Sequence, residues 1–213
     1  MTVTVTLSFD NGPSETTPYV LDVLRDRGIR STFFVVGQQL QTAHGHAAVQ
    51  RASRDGHWIG NHTMTHSIQF GDSDDPQLPA HEISAAQAML GPYAHADKLF
   101  RPYGGGGILD RRLLSESAVR YLESHGYTCV LWNSVPHDWD KPDDWVRRCV
   151  DDVLTRPWSL VVIHDLPTGA MAHLPTLLDE FEALNIAVVQ QFPPDCVPIR
   201  RGILTGSLDG LVA

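Results

Sequence analysis

Ser31-Thr32-Phe33-Phe34-Val35-Val36, closed by Gly37, is the stretch from which the fold of this chain is read. It is a continuous, largely apolar run of strand length. A strand with one wet face alternates polar and apolar residues. A run apolar on both faces belongs to a strand covered on both sides, as in a parallel sheet flanked by helices. Upstream, residues 2–9 alternate Thr and Val before Leu7-Ser8-Phe9, which predicts another strand ended by Asp10-Asn11-Gly12-Pro13. Between the two, Val20, Leu21, Val23 and Leu24 fall at helical spacing over 17–27, before Gly28. Downstream, a helix over 38–54 stops at Asp55-Gly56, and His57-Trp58-Ile59-Gly60 supplies a third, short strand.

The alternation continues to residue 189. Strands are predicted over 98–103, 127–132, 159–163 and 186–189, and helices over 80–90, 110–124, 143–154 and 171–184. Repeated βα units without a Gly-x-Gly-x-x-Gly opening favour a barrel over a dinucleotide-binding sheet. The chain has 213 residues, shorter than a usual eight-fold barrel. The expected fold class is therefore α/β, a distorted (β/α) barrel of about seven parallel strands with imperfect closure. Residues 1–191 form the barrel and 192–213 a Pro-rich C-terminal extension, which opens Phe192-Pro193-Pro194-Asp195-Cys196-Val197-Pro198.

Composition narrows the function. A 42% hydrophobic content supports one core, and a net charge of −9 disfavours nucleic acid or an anionic membrane as partner, since either seeks a basic face. A small substrate, neutral or cationic, fits better. Cys129, Cys149 and Cys196 are scattered, odd in number and without a C-x-x-C pair, and Cys129, inside an apolar strand pattern, reads as a buried free thiol. The N-terminus lacks a basic region and a long apolar run, and no window has the length of a membrane span, which predicts a cytoplasmic protein. The sequence is silent on oligomeric state. The acidic segment Gly71-Asp72-Ser73-Asp74-Asp75-Pro76 lacks the EF-hand pattern and reads as a solvated loop.

The polar residues obey one rule. Asp10, His62, Arg101, Asp138 and His164 each lie at or just after the C-terminal end of a predicted strand, the face on which barrels do their chemistry. His62-Thr63-Met64-Thr65-His66 places two imidazoles four residues apart, and on one helical turn both would reach a single metal ion. Gly104-Gly105-Gly106-Gly107 has no Lys-Ser/Thr after it, so it is no phosphate loop; its backbone N–H groups are expected to line a cleft. Trp58, Trp132, Trp139 and Tyr103 are candidate stacking surfaces for a substrate ring, and Trp132, inside an apolar run, reads as core. Asp138 reads equally as a positioning group or as a helix-entry residue.

On these residues the chain resembles the polysaccharide deacetylase (NodB-homology) family, carbohydrate esterase family four, over about residues 3–190. The first motif of that family, Thr-Phe-Asp-Asp-Gly, stands here as Ser8-Phe9-Asp10-Asn11-Gly12. The His-Ser/Thr-x-x-His motif is intact from His62 to His66. Phe100-Arg101-Pro102-Tyr103-Gly104-Gly105 resembles the third motif, with Tyr103 at the usual Pro. Val135-Pro136-His137-Asp138-Trp139 resembles Asp-x-x-Asp-Trp with its first Asp lost, and Leu160 or Val161 leads into the His164 of the fifth. The resemblance implies a NodB-like deacetylase barrel that hydrolyses a carbon–nitrogen bond. It also implies a zinc ion, or another divalent metal such as cobalt or nickel, on Asn11, His62 and His66. Asp10 is then the base, Arg101 its steering cation, His164 the acid and Asp138 an orienting group, with Tyr103, Gly104 and Trp139 at the substrate. Asn11 stands where the family places a metal-binding Asp. A neutral amide weakens cation binding, and three readings follow: a natural two-histidine, one-asparagine site, a metal-free hydrolase, or an inactivated protein. Beside N-deacetylation, the sequence leaves open a cyclic amide or ureide hydrolase and a glycan-binding module.

Overall fold

A computed structural model describes residues 2–213. Its elements run β1 (Thr4–Asp10), α1 (Thr17–Asp26), β2 (Thr32–Val35), α2 (Ala43–Arg54), β3 (Trp58–Asn61), α3 (Ala85–Leu90), β4 (Leu99–Phe100) and α4 (Glu116–Ser124). There follow β5 (Thr128–Cys129), α5 (Trp145–Val153), β6 (Trp158–His164), α6 (Leu174–Ala183), β7 (Ala187–Val189), β8 (Ile199–Arg200) and β9 (Ile203–Leu204). The sheet order is β6-β1-β2-β3-β4-β5-β8-β9, with β7 also on β1. Pairings among β1 to β7 are parallel. The expected distorted, parallel-stranded α/β barrel is found: the sheet curls, and the Ser134–Val161 bridge joins the chain beyond β5 to β6.

The period of two in β1 explains what lies on each side of the sheet. Val5, Leu7 and Phe9 point outward into a core shared with Val20, Leu21 and Leu24 of α1, Trp145 of α5 and Leu177 and Phe181 of α6. Thr6 and Ser8, also buried, take the opposite face. β2 behaves as its apolar run predicts: Phe33 joins the outer core, whereas Phe34 packs inward with Leu99, Val130 and Leu160.

Several elements differ from their predicted extents, each for a local reason. The helix expected over 38–54 is a 3₁₀ turn (Gly37–Gln41) and α2, separated by Thr42, whose hydroxyl accepts the Gly45 N–H at 3.0 Å as an N-cap. The helix expected from 110 begins at Glu116, capped by Ser115 Oγ on the Ala118 N–H. Strands four and five shrink to two residues each. The Pro-rich C-terminal extension adds to the sheet: β8 pairs antiparallel with β5, and Cys196, Val197 and Ile199 are buried. Two-residue strands spaced by prolines carry no periodicity to read. Among the described residues no helix is long and apolar enough to cross a membrane.

Candidate active site

The register of β1 against β6 sets the frame of the site. It pairs Asp10 with His164, so a carboxylate and an imidazole stand on adjacent strand ends at one mouth of the barrel. Arg101 follows β4 directly and is wholly buried. Its Nη1 donates to Asp10 Oδ1 at 2.8 Å and to Ser8 Oγ at 2.7 Å; Nε and Nη2 donate to the carbonyls of Val130 and Leu131. The guanidinium also lies 4.0 Å from the centre of the Phe34 ring. Burial lowers its pKa and the Asp10 charge opposes that, so the pair sits charge against charge with its donors satisfied.

Asp138 is fully buried and grips His164 twice. One carboxylate oxygen accepts from His164 Nδ1–H and the other from the His164 backbone N–H, both at 2.9 Å. Burial, the largest influence, pulls the His164 pKa down, but the hydrogen bond and charge of Asp138 together carry it above the usual histidine value. With Nδ1 so engaged, Nε2 is the ring nitrogen left for chemistry. Trp139 meets the imidazole edge-on, 4.9 Å between ring centres.

His62 and His66 do not lie on a helical turn, contrary to the expectation from their spacing. They belong to a loop after β3 in which Thr63 (φ 65°) and His66 (φ 54°) are left-handed. Polar contacts bend it: Asn61 Oδ1 accepts the Thr63 N–H and Thr63 Oγ1 accepts the His66 N–H, each at 3.0 Å. The two imidazoles still converge, their centres 4.8 Å apart, with Tyr103 4.1 Å from His66. Burial pushes both histidines down to about 3, so both rings are neutral.

The cleft over these groups has a volume of about 210 Å³. Asp10, Asn11, His62, His66, Tyr103, Gly104, Trp139 and His164 line it, with Pro102, Trp132, Val135 and Val162 as apolar wall. Arg101 and Asp138 stand behind Asp10 and His164. Trp132 is core and cleft wall at once: it is 6% exposed, and its Nε1–H donates to the Gly107 carbonyl at 2.9 Å. A Cβ on Gly104 would come within 2.6 Å of its ring. Trp58 packs against Phe192 and His95 instead, outside the cleft. The glycine loop keeps fewer free donors than expected, because the Gly105 N–H is taken by Gln69 Oε1 and the Gly107 N–H by the Gly104 carbonyl.

The contacts of Ser8 and Asp165 are not legible in the sequence. Ser8 Oγ accepts from Arg101 Nη1, and its own O–H donates to the Val161 carbonyl. Asp165, buried behind Gly12, accepts from the Thr17 hydroxyl, and burial raises its pKa to about 6. A Cβ at position 12 would fall 2.2 Å from its Oδ1, so only glycine fits there.

The donor set suits a divalent cation. Asn11 Oδ1 is buried and finds no hydrogen-bond partner among the described residues, and Asn11 lines the cleft. His62 Nδ1–H donates to the Arg101 carbonyl at 2.8 Å, which leaves its Nε2 lone pair free, 3.6 Å from Asp10 Oδ2. Among the described residues no three His, Cys, Asp or Glu side chains group as a metal site. The third group on the cleft with a lone pair to offer is the Asn11 amide oxygen.

A parallel-stranded barrel whose mouth faces an arginine-held carboxylate toward an aspartate-held histidine has the parts of an acid–base hydrolase. The family model for polysaccharide deacetylase matches residues 2–130. A peptidoglycan-N-acetylglucosamine deacetylase of Bacillus cereus is 32% identical over 76% of this chain and 72% of its own length. A chitooligosaccharide deacetylase of a Bradyrhizobium species is 34% identical over 77% and 71%. Among solved structures, a family 4 carbohydrate esterase from Streptomyces lividans in complex with acetate superimposes with a TM-score of 0.75, at 26% identity, over 92% of this chain and 96% of that one. The chain belongs to the polysaccharide deacetylase family and is a hydrolase of that kind.

Proposed function

We propose that this protein removes an acetyl or similar short acyl group from the nitrogen of an N-acetylated sugar or oligosaccharide, and that it does so with a divalent cation on Asn11, His62 and His66. The observation that carries this reading is the Asp10–His164 register: a base and an acid flank one cleft, with two neutral imidazoles beside them. The relatives named for peptidoglycan and chitooligosaccharide deacetylation support the substrate class.

The cation, when bound, supplies Lewis-acid polarisation of the amide carbonyl and of water. The chain's own residues do the rest. Asp10 accepts a proton from the attacking water, and Arg101 aims its carboxylate through the Nη1 hydrogen bond. His164, held as a proton donor by Asp138, delivers a proton to the leaving nitrogen, which otherwise departs poorly. Tyr103, Gly104 and Trp139 form the wall against which the sugar rests.

A substrate panel tests the reading. Protein supplied with zinc is incubated with N-acetylglucosamine oligomers and, separately, with cyclic ureides and imides. The proposal expects acetate and free amine from the oligomers only. Ring opening of the cyclic amides, or oligomer binding without acetate release, would replace it with a ureide hydrolase or a glycan-binding module.

A further inference from the structure

Outside the site motifs, one buried carboxylate has no cationic partner among the described residues and is satisfied by a single loop. Glu82 is 8% exposed and sits in the π-helical turn Ala80–Ser84 that leads into α3. Its Oε2 accepts the backbone N–H groups of Met64 at 3.0 Å and Thr65 at 2.9 Å. Its Oε1 accepts the Thr65 hydroxyl at 2.8 Å. Every one of these donors lies between His62 and His66. Two successive N–H groups converging on one oxygen form an anion-binding concavity, and a carboxylate is the side chain that can fill it with acceptors alone. The same turn reaches the other end of the loop, where the Ile83 carbonyl accepts from Asn61 Nδ2 at 2.8 Å.

The two histidines are held differently. His62 is anchored through its ring by the Arg101 carbonyl. His66 is held through its backbone, by Thr63 Oγ1 on its N–H, in a left-handed conformation that an unsupported histidine rarely adopts. The stretch joining them is what Glu82 grips. The structure assigns Glu82 as the positioning residue for His66, the group that sets the second imidazole against the first so that both face one cation. This rests on the proposed cation site, and the test separates the two.

Cobalt(II) is titrated into metal-free protein and followed by visible absorption, and the imidazole nitrogens are followed by ¹⁵N-histidine NMR without metal. In Glu82→Ala, cobalt affinity is expected to fall about 10- to 100-fold, with the His66 resonances displaced and those of His62 in place. Glu82→Gln, whose amide oxygen still accepts both N–H groups while its NH₂ donates to Thr65, is expected to restore most of both readouts. If Glu82→Ala does not fold, Thr65→Val, which removes the Oε1 contact and the 2.7 Å hydroxyl contact with Ser67 but leaves both N–H groups on Oε2, is compared with Ser67→Ala, which removes the Ser67 contact alone; only the former is expected to displace the His66 resonances. Unmoved His66 resonances overturn the assignment, as does a Gln variant no better than Ala. Failure of the unaltered protein to bind cobalt overturns the cation site, and the resonances then decide the positioning role alone.

Discussion

At the scale of single residues, the decisive contact is the double grip of Asp138 on His164. Asp138 holds the ring orientation and raises the pKa against the burial that lowers it. In Asp138→Asn the charge is lost and burial remains, so the imidazolium gives up its proton at a lower pH. The alkaline limb of the kcat/KM profile, which reports the acid in the free enzyme, is expected to move to lower pH; an unmoved limb would remove His164 from the role of acid. Asn11 supports a second prediction. Asn11→Asp adds a formal charge beside two neutral imidazoles, so cation affinity should rise in a chelator-competition titration. No rise would mean that position 11 is not a donor. The sequence shows Asp10, Arg101 and His164 because each ends a strand. It does not show the Asp138–His164 contact, which joins residues 26 apart through the return from β5 to β6.

At the scale of elements, what was legible follows from length. β1 and β2 are long enough for period and apolarity to declare them, and their registers place Asp10. β4, β5, β8 and β9 are two residues each, and their pairing is decided by tertiary contacts no window contains. The His-x-x-x-His stretch departs from its expected helical turn for a related reason. Its four-residue spacing suits a helix, but Thr63 and His66 adopt positive φ, which side-chain hydrogen bonds impose and the sequence does not announce. Glu82, on what reads as an ordinary helix, gave no signal at all. Inside the barrel, Gly60 of β3 makes room for Phe34: a Cβ there would fall 2.5 Å from the ring that covers Arg101. Gly60→Ala should therefore destabilise the fold by about 1–3 kcal/mol through overpacking, read as a lower urea midpoint. An unchanged midpoint would show that the interior is looser than this packing implies.

For the whole molecule, three histidines drawn away from solvent, His57 and His62 buried and His66 partly so, govern the response to acid in the absence of metal. Burial holds His57 at about 4 and His62 and His66 at about 3, against 6.5 for the ordinary side chain. Folded values lie below unfolded ones, so the unfolded chain binds more protons in between. Stability is then full above pH 6.5 and is lost as pH falls toward 3. His164 and Asp165, both raised, act in the opposite sense and offset part of this. The Tm of metal-free protein should fall on acidification from pH 7 through this window; a flat or rising Tm would contradict the neutral state assigned to the paired imidazoles.

Hydrolysis by an acid and a base across one cleft is tested most directly by acetate release. N-acetylglucosamine oligomers are supplied to the zinc-loaded protein and to His164→Ala with equal metal content. The account predicts acetate and free amine in equal amounts from the unaltered protein, and a loss of about 10²–10⁴-fold in kcat in the variant. Equal turnover by both, or no acetate from either, would contradict it.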